Sequence, residues 1–377
     1  MPVSQTSVIV EKEQETEKKA ASLFNQRRLI RRCIWFVLIT VLTIAAIFIY
    51  NRGGESISVL KHLQFSYLIF CFFLLFIDLM LGSWRNHIFI RKLKPGLSHW
   101  VSFRANVANM FMGAVTPAHS GAGPAQIYVY MRNSVRFVDA FTVSLINMGA
   151  TLIFMPTAGL IAIFLLRENV SDGIVPVLLQ YGFGFFTLFL LAFLLAFWRP
   201  LWIGRVIMKI AQWLSVLFPK KKSKLLRWSL HSNSSIQTYQ QTSSLLLKQH
   251  KMLFPFSLLI TTLLYLNKYC MQYFILLGLG IESDILQVVV VQVLIQFMIY
   301  FAPSPGGSGF AEMSIAVLFE KIVPAAVLPL FTLLQRSYLL FFPSIIGAAV
   351  VIRLLQRQAK EWRRDPLTNG NNGSAIK

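Results

Sequence analysis

The sequence predicts an all-α, polytopic helical membrane protein: six full spans plus two Pro/Gly-broken re-entrant hairpins, arranged as an inverted repeat. Three observations carry that reading. First, of 377 residues 55% are apolar and only 14% charged, where a soluble domain carries about 25% charged residues. Second, the charges gather between long stretches that hold almost none. Third, two Gly- and Pro-containing motifs far apart in the chain align without a gap.

A bilayer core about 30 Å thick needs about 20 apolar residues of helix. Such runs occur at 33–50, 64–83, 138–166, 174–198, 253–280 and 325–352, each read as a full span. Two further apolar segments, 100–131 and 285–320, are interrupted in the middle by Pro and Gly. Residues 1–32 are too long and too acidic for a secretory leader, and no small-residue cleavage site follows 33–50. That run is expected to be an uncleaved signal anchor behind a basic N-terminal tail. The three cysteines, Cys33, Cys71 and Cys270, all lie in apolar stretches and form neither a metal spacing nor a disulfide framework.

Orientation follows from Lys and Arg. If each broken segment returns to the side it entered from, the loops 1–32, 84–99, 132–137, 199–252 and 353–377 share one side. They hold 29 of the 36 basic residues, against 4 in the opposite set. Both termini are therefore expected in the cytoplasm, in a bacterial-type inner membrane. The same parity holds whether the broken segments re-enter or cross twice. The net charge of +21 is assigned to this membrane asymmetry and not to nucleic acid, because the basic residues sit between spans. Within 199–252, the stretch 200–218 puts Ile203, Val206, Ile207, Ile210, Trp213, Leu214 and Leu217 on one helical face. It is expected to lie in the plane of the inner leaflet, with Lys220–Lys224 behind it. An ordinary stop-transfer charge cluster is the competing reading.

The two interruptions read Thr116-Pro-Ala-His-Ser-Gly-Ala-Gly-Pro-Ala-Gln126 and Ala302-Pro-Ser-Pro-Gly-Gly-Ser-Gly-Phe-Ala-Glu312. Pro117 aligns with Pro303, Gly121 with Gly307, Gly123 with Gly309, and Gln126 with the isosteric Glu312. Each segment has a full span before and after it, so repeat A covers about 64–166 and repeat B about 253–352, inserted in opposite senses. Irregular backbone in hydrocarbon leaves unpaired N–H and C=O groups at several kcal/mol each, so it must be buried in protein or line a wet cavity. Helices are expected to begin at 124–131 and 309–320, with N-terminal N–H groups facing the interior as an anion site. A packing turn is the competing reading for either loop alone.

Five ionisable residues, Asp78, Arg104, Lys268, Glu312 and Arg336, lie inside apolar segments. Each costs about 2.5–3.5 kcal/mol at mid-bilayer on insertion scales, so each is expected to face a partner or water. Lys268 sits 15 residues into its span and Asp78 14 into the matching one; Arg336 sits 11 into its span and Asn147 9 into the counterpart. Asn106, Asn109, Asn267 and Gln272 add neutral hydrogen-bonding groups, and His119 lies in the first loop. The functional reading is that Arg336, Lys268 and Arg104 attract a phosphate while Glu312 balances them, binds a cationic head group or carries a proton. Buried ion pairs that fix helix packing, such as Glu312 with Arg336, are the structural alternative.

The two loops bear a family likeness. Thr116-Pro117 with Gly121-x-Gly-Pro-Ala-Gln-Ile-Tyr128, Pro303-x-Pro305-Gly306-Gly307-x-Gly309-x-x-Glu312, and Arg336-Ser-Tyr-Leu-Leu before a last apolar span together resemble the transmembrane, flippase-like region of lysylphosphatidylglycerol synthases. The resemblance covers about 33–352. It implies a lipid translocator that moves a phospholipid or lipid-linked precursor between leaflets, with Thr116, Pro117, Gly121, Gly123, Gln126, Pro305, Gly306, Gly307, Gly309 and Glu312 in the binding loops. Much of that family has an acidic residue in the first loop where this sequence has Gln126, so a two-carboxylate coupling scheme is not implied. Full-length synthases add a soluble aminoacyl-transfer domain, and synthesis of lysyl-lipid is not expected of this chain.

The expected partners are membrane lipids, chiefly anionic phospholipid, with no cofactor. With no Gly-x-x-x-x-Gly-Lys-Ser/Thr loop, transport is expected to be downhill or ion-coupled. A membrane-embedded enzyme acting on a lipid phosphate or lipid-linked sugar is the runner-up. It has no His-Glu-x-x-His, no paired-carboxylate loop and no Ser or Cys with an evident base. A scaffold for a separately encoded lipid-modifying enzyme is the third reading.

Overall fold

The computed structural model describes residues 26–50, 63–165, 183–184, 187–191, 193–194, 237–300 and 302–364. The chain over these residues is helical, with no strand beyond one isolated bridge. The expected in-plane helix at 200–218, the Lys220–Lys224 cluster and most of the span expected at 174–198 lie outside them.

Ten α-helices with described ends carry the architecture: α1 Gln26–Tyr50, α2 Phe65–Leu93, α3 His99–Val115, α4 Ala122–Met131, α5 Phe137–Leu165, α6 Leu253–Gly278, α7 Ile285–Tyr300, α8 Phe310–Phe319, α9 Leu328–Arg336 and α10 Phe342–Arg364, and residues 237–244 are helical as well. A π-helical turn, Ser337–Phe341, joins α9 to α10, and another, Leu245–Gln249, precedes α6. Among the described residues, four stretches are long and apolar enough to cross a membrane: Phe65–Leu93, Phe137–Ala162, Leu253–Gly278 and Leu328–Arg357.

Both broken segments are pairs of helices joined by a loop, α3–α4 and α7–α8. Helices α4 and α8 have 10 residues each, about 15 Å at 1.5 Å per residue, or half a bilayer core. Ser98 caps α3, its Oγ accepting from Trp100 N at 3.3 Å. Pro124 falls in the first turn of α4, where a missing N–H costs nothing. Helix α4 begins at Ala122, two residues ahead of the expected start, and α8 at Phe310, one residue after it.

Two expected boundaries need correction. The span placed at 64–83 continues as α2 to Leu93, through residues assigned by their charge to a loop. Leu79, Gly82, Ser83, Asn86, Phe89 and Ile90 are all buried, so the helical period carries on past the last purely apolar turn. The span placed at 325–352 starts at Leu328, widens into the π-turn directly after Arg336, and runs to Arg364. Such π-turns often sit at functional positions.

Helices α2 and α6 pack side by side in opposite directions. Gln64 N donates to Gly278 O at 2.9 Å, Cys71 Sγ to Met271 O at 3.7 Å, Asn267 Nδ2 to Leu74 O at 2.9 Å, and Arg85 Nη1 to Thr261 Oγ1 at 3.4 Å. Ascending numbers on one helix meet descending numbers on the other. The halves are also interleaved, since α10 lies along α3. There Gly347 lets two backbones touch: a Cβ would be driven into Val107 O and would stand 2.6 Å from Phe111 Cβ. A large apolar cluster fills the space around α2, α6, α7, α8 and α9, and a second surrounds α3, α4 and the start of α5.

Gly347→Leu is expected to separate α10 from α3 and to cost at least the 1–3 kcal/mol typical of overpacking, read as lower thermal stability in detergent. Gly307 has φ +69°, and a Cβ there would lie 2.9 Å from Ile299 Cγ2. Gly307→Ala is expected to lower the unfolding temperature, and Gly307→Leu to abolish recovery of folded protein, as measured by size-exclusion chromatography.

Candidate functional site: two paired loops and their buried charges

The loop between α3 and α4 meets the loop between α7 and α8. Pro117 and Pro305 form an isolated antiparallel bridge. Gly306 has φ +59°, and its missing Cβ would lie 2.9 Å from both Ala114 O and Phe36 Cε2. Only glycine takes that backbone conformation without strain and admits those two groups so closely.

Each loop is held by its own side chains. In the first, Thr116 Oγ1 donates to Met112 O at 2.6 Å and accepts from Gly121 N at 2.8 Å. Gly121 leaves room for that clasp, since a Cβ would stand 2.8 Å from Thr116 Cγ2. His119 Nδ1 bonds Gly113 O at 2.9 Å. Gly123 has open space around its Cα. In the second loop, Gly309 at φ +86° precedes α8, and its N–H donates to Glu312 Oε2 at 2.6 Å. The expectation of free N–H groups at both helix starts is thus corrected. A hydroxyl occupies Gly121 N, and a carboxylate already sits at the positive end of α8, the place where the helix favours an anion.

Glu312 is fully buried, and its Oε1 lies 3.0 Å from Arg336 Nε. Arg336 Nη2 donates to Gly306 O at 2.9 Å and reaches Ser308 Oγ at 3.4 Å. Ser308 Oγ in turn bonds Thr40 Oγ1 of α1 at 2.8 Å. One arginine therefore ties α9 to the loop and to the carboxylate at the start of α8. Truncating one member of such a buried pair costs about 3–5 kcal/mol, because the other charge is left uncompensated.

The second pair, Asp78 and Lys268, joins α2 to α6 at 3.7 Å, with Asp78 buried and Lys268 partly exposed. Lys268 also lies 5.9 Å from the centre of the Tyr265 ring. His119 is within electrostatic range of both Lys268 and Arg336. Arg104 stands apart. It lies early in α3, bonding back to Trp100 O at 3.2 Å, twelve residues or about 18 Å along the chain from the loop. The helix start that places it there is remote from the helix end that carries the loop.

Opposite Glu312, Gln126 heads a neutral network. Its Oε1 accepts from Asn109 at 3.1 Å, and its Nε2 donates to Asn86 Oδ1 at 3.0 Å and Ser144 Oγ at 3.1 Å. Asn147 donates to the same Asn86 oxygen at 2.7 Å and accepts from Ser257 at 3.1 Å. Sequence reasoning missed Asn86, Ser144, Ser257, Thr40 and Ser308. The helical period continuing past residue 83 was the signal for Asn86; the hydroxyls had none, since Ser and Thr are unremarkable in an apolar helix.

Residues 34–347 match the family described as the lysylphosphatidylglycerol synthase TM region. The chain is 24% identical over 296 residues to a UPF0104 membrane protein of Archaeoglobus fulgidus, covering 78% of this chain and 88% of that protein. No solved structure matches. The matched region holds both loops, the Asp78–Lys268 and Glu312–Arg336 ion pairs, and all or most of each helix that is long and apolar enough to cross a membrane. This multi-pass membrane protein belongs to the lysylphosphatidylglycerol synthase transmembrane-region family.

Proposed function

We propose that the chain is a lipid translocator that passes a phospholipid or lipid-linked head group between leaflets through the paired loops. The observation that carries this reading is the contact of the two loops beside buried, mutually balanced charges. In this reading six spans cross the membrane, the segments α3–α4 and α7–α8 re-enter from opposite sides, and both termini are cytoplasmic. The opposed packing of α2 and α6 supports the inverted repeat, and inverted repeats with broken helices are a recurrent transporter design.

The substrate-contacting groups are Arg336, Lys268, Glu312 and Asp78, framed by Thr116, Pro117, Gly121, Gly123 and Gln126 on one loop and Pro305, Gly306, Gly307 and Gly309 on the other. In their ordinary ionised forms the two acids and two bases cancel. A phosphate that engages Arg336 must displace Glu312, and the site then carries an excess negative charge. A head group with its own ammonium restores the balance, and so does proton uptake by the displaced carboxylate. The site thus favours a zwitterionic head group, or an anionic one carried with a proton. Glu312 Oε2 accepts from Gly309 N and Oε1 faces Arg336 Nε in an ion pair, and a carboxylate held beside a buried cation argues against its use as a general base in lipid chemistry. Arg104, at the far end of α3, is left outside the binding step.

Two outcomes test the exchange in proteoliposomes with a leaflet-reporter lipid. Arg336→Ala is expected to slow translocation at least about tenfold, the low end of what a charge-assisted hydrogen bond supplies. Glu312→Gln keeps an acceptor for Gly309 N but frees Arg336, so it is expected to lower the half-saturating lipid concentration while slowing turnover. Wild-type rates in both variants would remove the pair from the pathway. Covalent alteration of the reporter lipid would replace translocation with lipid chemistry.

A further inference from the structure

We infer that the cytoplasmic end of the α2–α6 pair holds a second lipid site, separate from the loops, that retains one anionic phospholipid of the inner leaflet. Opposed packing brings the last turn of α2 beside the turn that precedes α6. Between them lies a cavity of about 830 Å³ whose rim carries Lys92, Lys248, His250 and Lys251. Among the described residues, no acidic side chain lines it. Lys248 lies in the π-helical turn Leu245–Gln249, so that irregular turn supplies one of the cations that line the cavity.

The wall below the rim is apolar. Met252, Phe256 and Leu259 line the cavity, and Leu263 and Leu266 continue the same spacing of four and three residues down α6. All five are exposed, at 81, 45, 51, 45 and 43%. Residues spaced in this way form one stripe, here about 21 Å long from the helical rise. That is the length of an acyl chain, directly beneath a ring of cations. The combination fits one diacyl phospholipid, its phosphate on the lysines and its tail along the stripe. Basic pockets between helices on the cytoplasmic side are a known means of holding anionic lipid.

The site lies away from Glu312 and Arg336, so the two proposals fail separately. The test uses the full chain in detergent, with native mass spectrometry counting bound phosphatidylglycerol against phosphatidylcholine. The expected result is selective retention of phosphatidylglycerol. The triple variant Lys92→Gln, Lys248→Gln, Lys251→Gln is expected to weaken it about 100-fold, from roughly 1 kcal/mol per basic residue at tenfold per 1.4 kcal/mol. The single variants give proportionate losses if the triple does not fold. Leu259→Ser with Leu263→Ser is expected to weaken it too. Equal retention of both lipids, or an equal loss in the control Arg353→Gln, Arg357→Gln, would overturn the site in favour of diffuse surface charge. Competition by soluble glycerol phosphate at matched concentration would overturn the lipid as occupant.

Discussion

A backbone that leaves the helix in apolar surroundings must find partners for its amide groups, and here each loop closes most of them on itself and meets the other loop at one bridge. Pro117 faces Pro305, the Gly306 carbonyl takes the Arg336 guanidinium, Thr116 and Glu312 take the Gly121 and Gly309 amides, and turn bonds such as Ser120 N to Pro117 O and Ser308 N to Pro305 O close others. Neither loop would be tolerable in hydrocarbon alone. The helix order, the opposed packing of α2 and α6, and the glycine content of the second loop all serve that contact.

The contact is not symmetric in charge. One side presents Glu312 and Arg336, the other Gln126 within a net of amides and hydroxyls. A neutral network is worth about 1 kcal/mol per bond and leaves no charge to compensate. A buried ion pair is costly to form and costlier to break. The first half therefore reads as the fixed wall and the second as the responsive one. The Asp78–Lys268 pair joins α2 to α6, the two helices that pack in opposite directions.

Much of this was legible in the sequence because its causes are local. The Pro and Gly residues marked both loops, and α4 and α8 begin within two residues of where the pattern placed them. Charges isolated in apolar runs implied partners, and Glu312 did meet Arg336 as Asp78 met Lys268. What was not legible depends on tertiary placement. Arg85 and Asn86 looked like loop residues because charge was used to end the span, yet both lie in α2 and bond to neighbouring helices. Arg104 was grouped with the other cations by its apolar setting, although helix length carries it away from them. The capping of α8 by Glu312 follows from a rotamer, which no pattern of residue types specifies.

The fit at Gly347 has a kinematic meaning. Helix α10 comes from the C-terminal half of the chain and α3 from the N-terminal half, and they touch main chain to main chain with no cushion between them. Helices meshed so closely cannot slide by a turn or swing apart as independent blocks without losing that tooth-in-slot register. Large rocking of one half against the other is therefore blocked at this seam, and whatever motion the molecule makes must be found in shorter levers, the π-turn beneath Arg336 and the glycines of the second loop being the pivots at hand.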